Sequence, residues 1–219
     1  MIKLYGMPLS NYYNTIKLCL LEKGVAFEEV LNPPSQDGDY LTKSPMGKVP
    51  CIETDSGFLA ESSAIMEYLE EAYPAQSLFP GDAYTRAKIR ELNKVLELYI
   101  ELPARRHLAA TFFGEPRNQA AVAEVRPQIE QGLGAIERLA AFNPYFAGDE
   151  ISYADLFGFY VFGMANMLTQ AVYGWDIVGE VPKLGATLER IGARETTQNV
   201  NSAMQSAMDA FMEQQQQAS

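Results

Sequence analysis

A proline-bounded hairpin is the strongest constraint on what this chain can fold into. The run Ser44-Pro45-Met46-Gly47-Lys48-Val49-Pro50 leads into the alternating Cys51-Ile52-Glu53-Thr54, the turn Asp55-Ser56-Gly57 and then Phe58-Leu59. That pattern predicts strand, tight turn and strand. Pro50 suits the first residue of a strand, where the ladder needs no N–H. A cis bond before it would present the N–H and C=O of Val49 outward. Glu61 and Ser62 then open an apolar-periodic helix carrying Ile65, Met66 and Leu69. The free N–H groups and positive dipole end of such a helix suit a ligand carboxylate. A strand edge for an extended peptide therefore stands beside an anion hole.

Around this hairpin the first part of the chain alternates strand and helix. Ile2 to Tyr5 reads as a strand, Asn11 to Lys23 as a helix closed by Gly24, and Ala26 to Leu31 as a second strand before the loop Asn32 to Asp39. The stretch Pro74 to Asp82 has linker composition, and everything beyond it reads helical. Ile89, Leu92, Leu96, Tyr99 and Ile100 form one apolar stripe; Val122, Val125, Ile129, Leu133, Ile136 and Leu139 form another. Pro103 and Pro127 lie within these runs and are expected to bend or interrupt them. Leu156 through Met167 is apolar nearly all round, as a central buried helix is. Ser152 and Asp155 make a variant capping box at its start, flanked by Ile151 and Leu156 as a hydrophobic staple. The last helix carries Val200, Met204, Ala207, Met208 and Phe211, and the polar tail Glu213 to Ser219 is expected to fray.

The 219 residues fit one large or two modest domains, with 47% hydrophobic and 21% charged residues as in an ordinary soluble protein. A formal charge of −11 argues against a nucleic-acid partner, because no basic cluster is available to neutralise phosphates. The chain opens directly on a strand without a signal-peptide pattern, and the longest apolar run is too short to span a bilayer. Two cysteines, Cys19 and Cys51, make no disulfide framework. The expectation is a cytoplasmic protein without a membrane partner.

Several pieces carry a family resemblance in order. They are Leu4-Tyr5-Gly6-Met7-Pro8-Leu9-Ser10, Leu21-Glu22-Lys23-Gly24, Gly47 to Pro50, Glu61-Ser62, and Phe146-Ala147-Gly148-Asp149-Glu150-Ile151-Ser152-Tyr153-Ala154-Asp155. Together they resemble the cytosolic glutathione transferase superfamily, in its bacterial-type, serine-using form, over nearly the whole chain. The resemblance implies an α/β thioredoxin-like N-terminal domain and an all-α C-terminal domain. It divides the chain into a glutathione-binding domain at 1–76, a linker at 77–83 and a helical electrophile-binding domain at 84–219.

It also implies a reaction, attack by the glutathione thiolate on a small hydrophobic electrophile, with glutathione as co-substrate and no metal. Ser10 falls where the first strand turns into the first helix and is the implied thiolate contact; as a bare sequence feature it reads first as an N-cap serine, a role that contact does not exclude. Tyr12 and Tyr13 are rivals for that contact and Asn11 is a second donor, while Tyr5 falls earlier and reads as core. Val49 and Pro50 match the positions that pair with the cysteinyl backbone of glutathione. Lys48 either reaches a ligand carboxylate or is a solvated lysine. Glu61 and Ser62 match the residues that hold the γ-glutamyl end, and otherwise are a first-turn acid and a helix cap.

His107 is the only histidine and cannot build a zinc site or a triad alone. The sequence favours a surface histidine; the family lines its electrophile pocket from that helix, which makes His107 and Phe112 candidates. Cys19 reads as an inert core residue and Cys51 as a packed strand residue. The loop Asn32 to Asp39 lacks the basic residues often found there, leaving one glutathione carboxylate without an assigned partner. The family habit implies a homodimer with a role in detoxification. Two further readings stand beside conjugation: glutathione-dependent disulfide reduction or isomerisation, and a non-catalytic interaction or regulatory protein.

Overall fold

The computed structural model describes residues 1–217. It divides into two compact units, Met1–Leu78 together with the chain from Ala193 onward, and Phe79–Gly192. Sequence reading assigns the last helix to the helical domain; its packing groups it with the first unit instead.

In the first unit the strands are β1 (Ile2–Gly6), β2 (Phe27–Leu31), β3 (Cys51–Thr54) and β4 (Gly57–Ala60), in the order β2-β1-β3-β4. β1 pairs parallel with β2, while β1–β3 and β3–β4 are antiparallel. The parallel pair requires a crossover, supplied by helix α1 (Asn11–Glu22). A second helix, α3 (Ser62–Ala72), follows the hairpin. This is the thioredoxin-like arrangement expected. Leu4, Ile16, Leu20, Ile52, Ile65, Met66 and Leu69 are fully buried, which fixes the register of the sheet and the inward faces of both helices. The loop after β2 contains a single helical turn, α2 (Gly38–Leu41), that the polar sequence does not announce.

Two polar clusters hold this unit. Lys23 and Glu70 form a wholly buried pair at 2.8 Å, and Glu70 also accepts from the Ser77 hydroxyl and the Leu78 N–H. Glu22, at the end of α1, is gripped by the Arg194 guanidinium and the Thr196 hydroxyl. Those two residues flank the start of α10 (Glu195–Gln217), so the last helix is fastened to α1 through Glu22, and its Val200 is fully buried. The helix continues unbroken through Gln217, correcting the expectation of a frayed tail from Glu213; Ala218 and Ser219 lie outside the described residues.

The second unit is helical. α4 (Ala83–Val95) is capped by Asp82, passes into a π-helical turn at Leu96–Glu101, and continues as α5 (Leu102–Arg105) and α6 (Leu108–Phe112). Ile89, Leu92, Leu96 and Ile100 are buried as the stripe requires, but Tyr99 is 44% exposed. The spacing of the four buried residues leaves Tyr99 on the flank. α7 (Gln119–Leu139) approaches this turn through Gly132, where a Cβ would lie 2.8 Å from the Tyr99 carbonyl and from Ile100. Pro127 sits inside α7 without ending it. α8 (Tyr153–Tyr173) is buried through its first half, whereas Gly163 and Met167, one turn apart, face outward. α9 (Leu184–Gly192) completes the unit.

The capping box at α8 is closed. The Asp155 carboxylate accepts from the Ser152 N–H at 2.8 Å, the Ser152 hydroxyl at 2.7 Å and the Phe146 N–H at 2.7 Å. Burial pushes this carboxyl up to about 6, against the pull of those donors.

Candidate functional site

Ser10 is the N-cap of α1, with extended backbone and its Oγ accepting the Tyr13 N–H at 3.3 Å. Capping uses a lone pair and leaves the hydroxyl proton available to donate. The two readings of this serine are therefore compatible. The half-buried side chain stands at the positive end of a twelve-residue helix.

The rival donors around it are placed differently. Tyr13 is buried against Gly6, where a Cβ would fall 2.2 Å from its ring. Its phenol donates to Glu29, which also pairs with Lys17 at 2.8 Å. Burial, then the Glu29 bond, push the phenol well above its ordinary value. Asn11 is buried, and its carbonyl accepts from the Thr15 hydroxyl. Tyr12 is half-buried. Tyr5 is core, as read, with its hydroxyl on Glu53.

The Val49–Pro50 bond is cis. Neither the N–H nor the C=O of Val49 has a partner among the described residues. The preceding carbonyl, by contrast, is saturated: Lys48 O accepts from the Tyr40 hydroxyl at 3.0 Å and the Ser44 hydroxyl at 2.8 Å. Both donors are buried, and burial pushes the Tyr40 phenol up to about 12. Gly47 makes the turn possible at φ +66°, with the Ser35 carbonyl 2.2 Å from where a Cβ would stand. Lys48 is exposed, and its ammonium has no partner among the described residues. Lys43, a second nearby cation, lies over the Tyr5 ring at 4.9 Å.

Glu61 holds φ +65° and ψ +115°, unusual for a residue with a side chain, and α3 begins immediately after it. No side chain caps this helix. The Ser62 hydroxyl is nearly buried and has no partner among the described residues. An uncapped helix start with an unengaged hydroxyl is a ready anion-binding site.

His107 is not on the surface. It is 3% exposed, and its Nε2 lies 2.8 Å from the Tyr173 hydroxyl, which in turn donates to the Val122 carbonyl at 3.0 Å. With that proton used, Nε2 carries the hydrogen and donates. Burial first, then Arg106 and Arg117, lower the affinity of this ring for a proton. The sequence favours a surface role because His107 stands in a run with Arg105 and Arg106; the aromatic partner lies 66 positions away. Phe112 is half-buried at the end of α6.

Cys19 is fully buried and its thiol is pushed far up by that burial. Cys51 is also buried and raised to about 11, with Sγ directed at the Lys43 carbonyl. Neither is placed to act as a thiolate near neutral pH. Among the described residues, no group of three His, Cys, Asp or Glu side chains is arranged to hold a metal.

Sequence reading passed over Tyr40 and Ser44. Their signal was the four-residue spacing, which brings both hydroxyls to one side of a helical turn.

A strand-edge turn beside two helix starts, on this sheet order, defines the glutathione-binding half of a known class, and comparisons agree. Residues 4–77 match the glutathione S-transferase N-terminal domain and residues 119–190 the C-terminal domain. A glutathione S-transferase of Pseudomonas putida is 39% identical over 97% of this chain and 97% of its own. A glutathione S-transferase of Methylobacterium radiotolerans, solved with glutathione sulfonate, superposes with TM-score 0.72 at 25% identity, covering 91% of this chain and 93% of that one. A bacterial Zeta-class maleyl pyruvate isomerase does so with TM-score 0.73 at 26% identity, covering 90% and 95%. The chain belongs to the glutathione S-transferase family and is an enzyme of that family.

Proposed function

We propose that the chain binds glutathione along the Val49 edge, with the γ-glutamyl end at the start of α3, and that Ser10 donates a hydrogen bond to its thiolate. The thiolate sulfur then attacks the electrophilic carbon of a small hydrophobic substrate; a carbon–sulfur bond forms and the leaving group departs with the displaced electron pair. The observation that carries the reading is the pairing of an uncapped α3 start and unengaged Ser62 hydroxyl with Ser10, whose own proton is uncommitted. Ser62 donates to the γ-glutamyl carboxylate, Glu61 accepts from the ammonium, and Lys48 is the available cation for the remaining carboxylate.

The energies suffice. A free thiol titrates near about 8.5, so lowering it by about two units needs roughly 2.7 kcal/mol. One hydrogen bond to a charged group supplies about 1.5–3 kcal/mol and a helix start up to about 1.

The likeness to a maleyl pyruvate isomerase favours one further reading of the same site, in which the thiolate adds to an unsaturated acid and is released after rotation. Disulfide reduction is less well supported, because Ser10 replaces the cysteine such chemistry needs and both cysteines are buried. A non-catalytic role is weakened by the presence of Ser10, Val49, Pro50, Glu61 and Ser62 together. The proposal includes a cytoplasmic homodimer engaged in detoxification. Free Cys19 and Cys51 fit a reducing compartment, and exposed Leu98, Tyr99 and Leu102 offer an apolar face to a second copy.

Calorimetric titration with glutathione tests the binding step. Saturable heat in the wild type, weakened by Ser62→Ala, is expected; no heat at millimolar glutathione contradicts it.

A further inference from the structure

We propose that Tyr40 and Ser44 are positioning residues for glutathione, holding the Lys48–Val49 peptide so that the Val49 N–H faces the ligand. This rests on the binding mode above.

Peptide planarity fixes the direction of that N–H. A trans peptide directs its C=O and the following N–H in opposite senses within one plane. The Lys48–Val49 bond is trans, since the cis bonds are at Val49–Pro50 and Asn143–Pro144. Two hydroxyls take both lone pairs of the Lys48 carbonyl, at 2.8 and 3.0 Å, from residues that are 1% and 5% exposed. Two fixed donors on one carbonyl orient the plane as well as the bond axis. The Val49 N–H of the same plane must therefore point away from Tyr40 and Ser44, and it has no partner among the described residues. The supports are themselves anchored: the Ser44 N–H donates to the Tyr40 carbonyl at 2.9 Å, and the Gly47 N–H to the Ser44 carbonyl at 2.8 Å. With the carbonyl consumed, this peptide has only a donor to offer, which selects a ligand carbonyl at that point. Preorganising one donor in this way lowers the ordering cost of binding without touching the ligand.

The test uses Tyr40→Phe, Ser44→Ala and the double variant, with Ser44→Thr as the conservative control that keeps the hydroxyl. Glutathione affinity by calorimetry should fall about three- to tenfold for each single loss, as one net hydrogen bond implies, and further in the double variant. The KM for glutathione should rise while kcat at saturating glutathione and the KM for the electrophile stay within twofold, and Ser44→Thr should restore affinity. Because the double variant loses two buried hydrogen-bonding hydroxyls, the wild-type Val49 amide is also followed by NMR: glutathione should shift it and slow its hydrogen exchange. A wild type that binds glutathione with the Val49 amide unmoved overturns the inference alone, as does unchanged affinity in folded Tyr40→Phe and Ser44→Ala. Equal losses in glutathione and electrophile KM assign the hydroxyls a general structural role and also overturn it. A wild type that binds no glutathione overturns the binding mode itself.

Discussion

Replacing Lys23 by methionine probes a deeply buried ion pair of the first unit. The Lys23 side chain is 0% exposed and donates to Glu70 at 2.8 Å and to the Gln76 carbonyl at 2.6 Å. Methionine fills much of the volume but takes the ammonium away from the Glu70 carboxylate, 4% exposed, which keeps its bonds from Ser77 and Leu78. Removing one partner of a buried pair costs about 3–5 kcal/mol. Lys17→Met, which breaks the more exposed pair with Glu29, should cost at most about 1. The pH dependence follows from the same contacts. In the wild type burial pushes the Glu70 carboxyl up, but the donors Lys23, Ser77 and Leu78 outweigh it and leave it below its ordinary value. Its stabilisation is thus present above the unfolded carboxylate pKa and lost as pH falls through the folded one. Without Lys23 the strongest of the groups that hold this carboxyl down is gone, so it titrates higher, and protonation relieves the buried charge. The Lys23→Met deficit should therefore be largest at neutral pH and shrink towards pH 5. Urea unfolding followed by far-ultraviolet circular dichroism at both pH values measures it, with Lys23→Met/Glu70→Gln expected to recover part of the loss. A deficit below about 1 kcal/mol at pH 7, or one independent of pH, refutes the reasoning.

His107 is the only histidine, so its ring signal in a proton NMR titration is unambiguous. Its burial and the neighbouring Arg106 and Arg117 place the folded pKa below the ordinary value of about 6.5, so the associated stability is present above that value and lost as pH falls through the folded one; titration at or above it contradicts the His107–Tyr173 geometry. For assembly, light scattering should give twice the chain mass, and Leu98→Glu/Leu102→Glu should halve it; a mass of 24.3 kDa for the wild type at every concentration contradicts the dimer.

What the sequence made legible was whatever is local. The Gly47-to-Pro50 turn, the hairpin after it, the start of α3 and the Ser152–Asp155 box all rest on neighbours in the chain, and each stands where the spacing put it. Partnerships that run across long separations were not readable. Tyr13 looks like a free phenol until β2 brings Glu29 beside it, and His107 looks solvated until α8 brings Tyr173. Tyr99 lies on the flank of its stripe, in a π-helical turn that hydrophobic periodicity does not reveal. The last helix reads as part of the helical region by composition, yet Glu22 and Arg194 join it to α1 across 172 positions.

The central claim is that Ser10 stabilises the glutathione thiolate, and the pH–rate profile of Ser10→Ala tests it most directly. Loss of one charge-assisted hydrogen bond of about 1.5–3 kcal/mol slows conjugation near neutrality roughly tenfold to a hundredfold. The deficit should diminish as pH rises, because solvent then ionises the thiol unaided, and the profile should move to higher pH. Tyr12→Phe, made in parallel, should leave the profile in place. An unmoved profile in Ser10→Ala, with a shifted one in Tyr12→Phe, contradicts the account and transfers the role to the tyrosine.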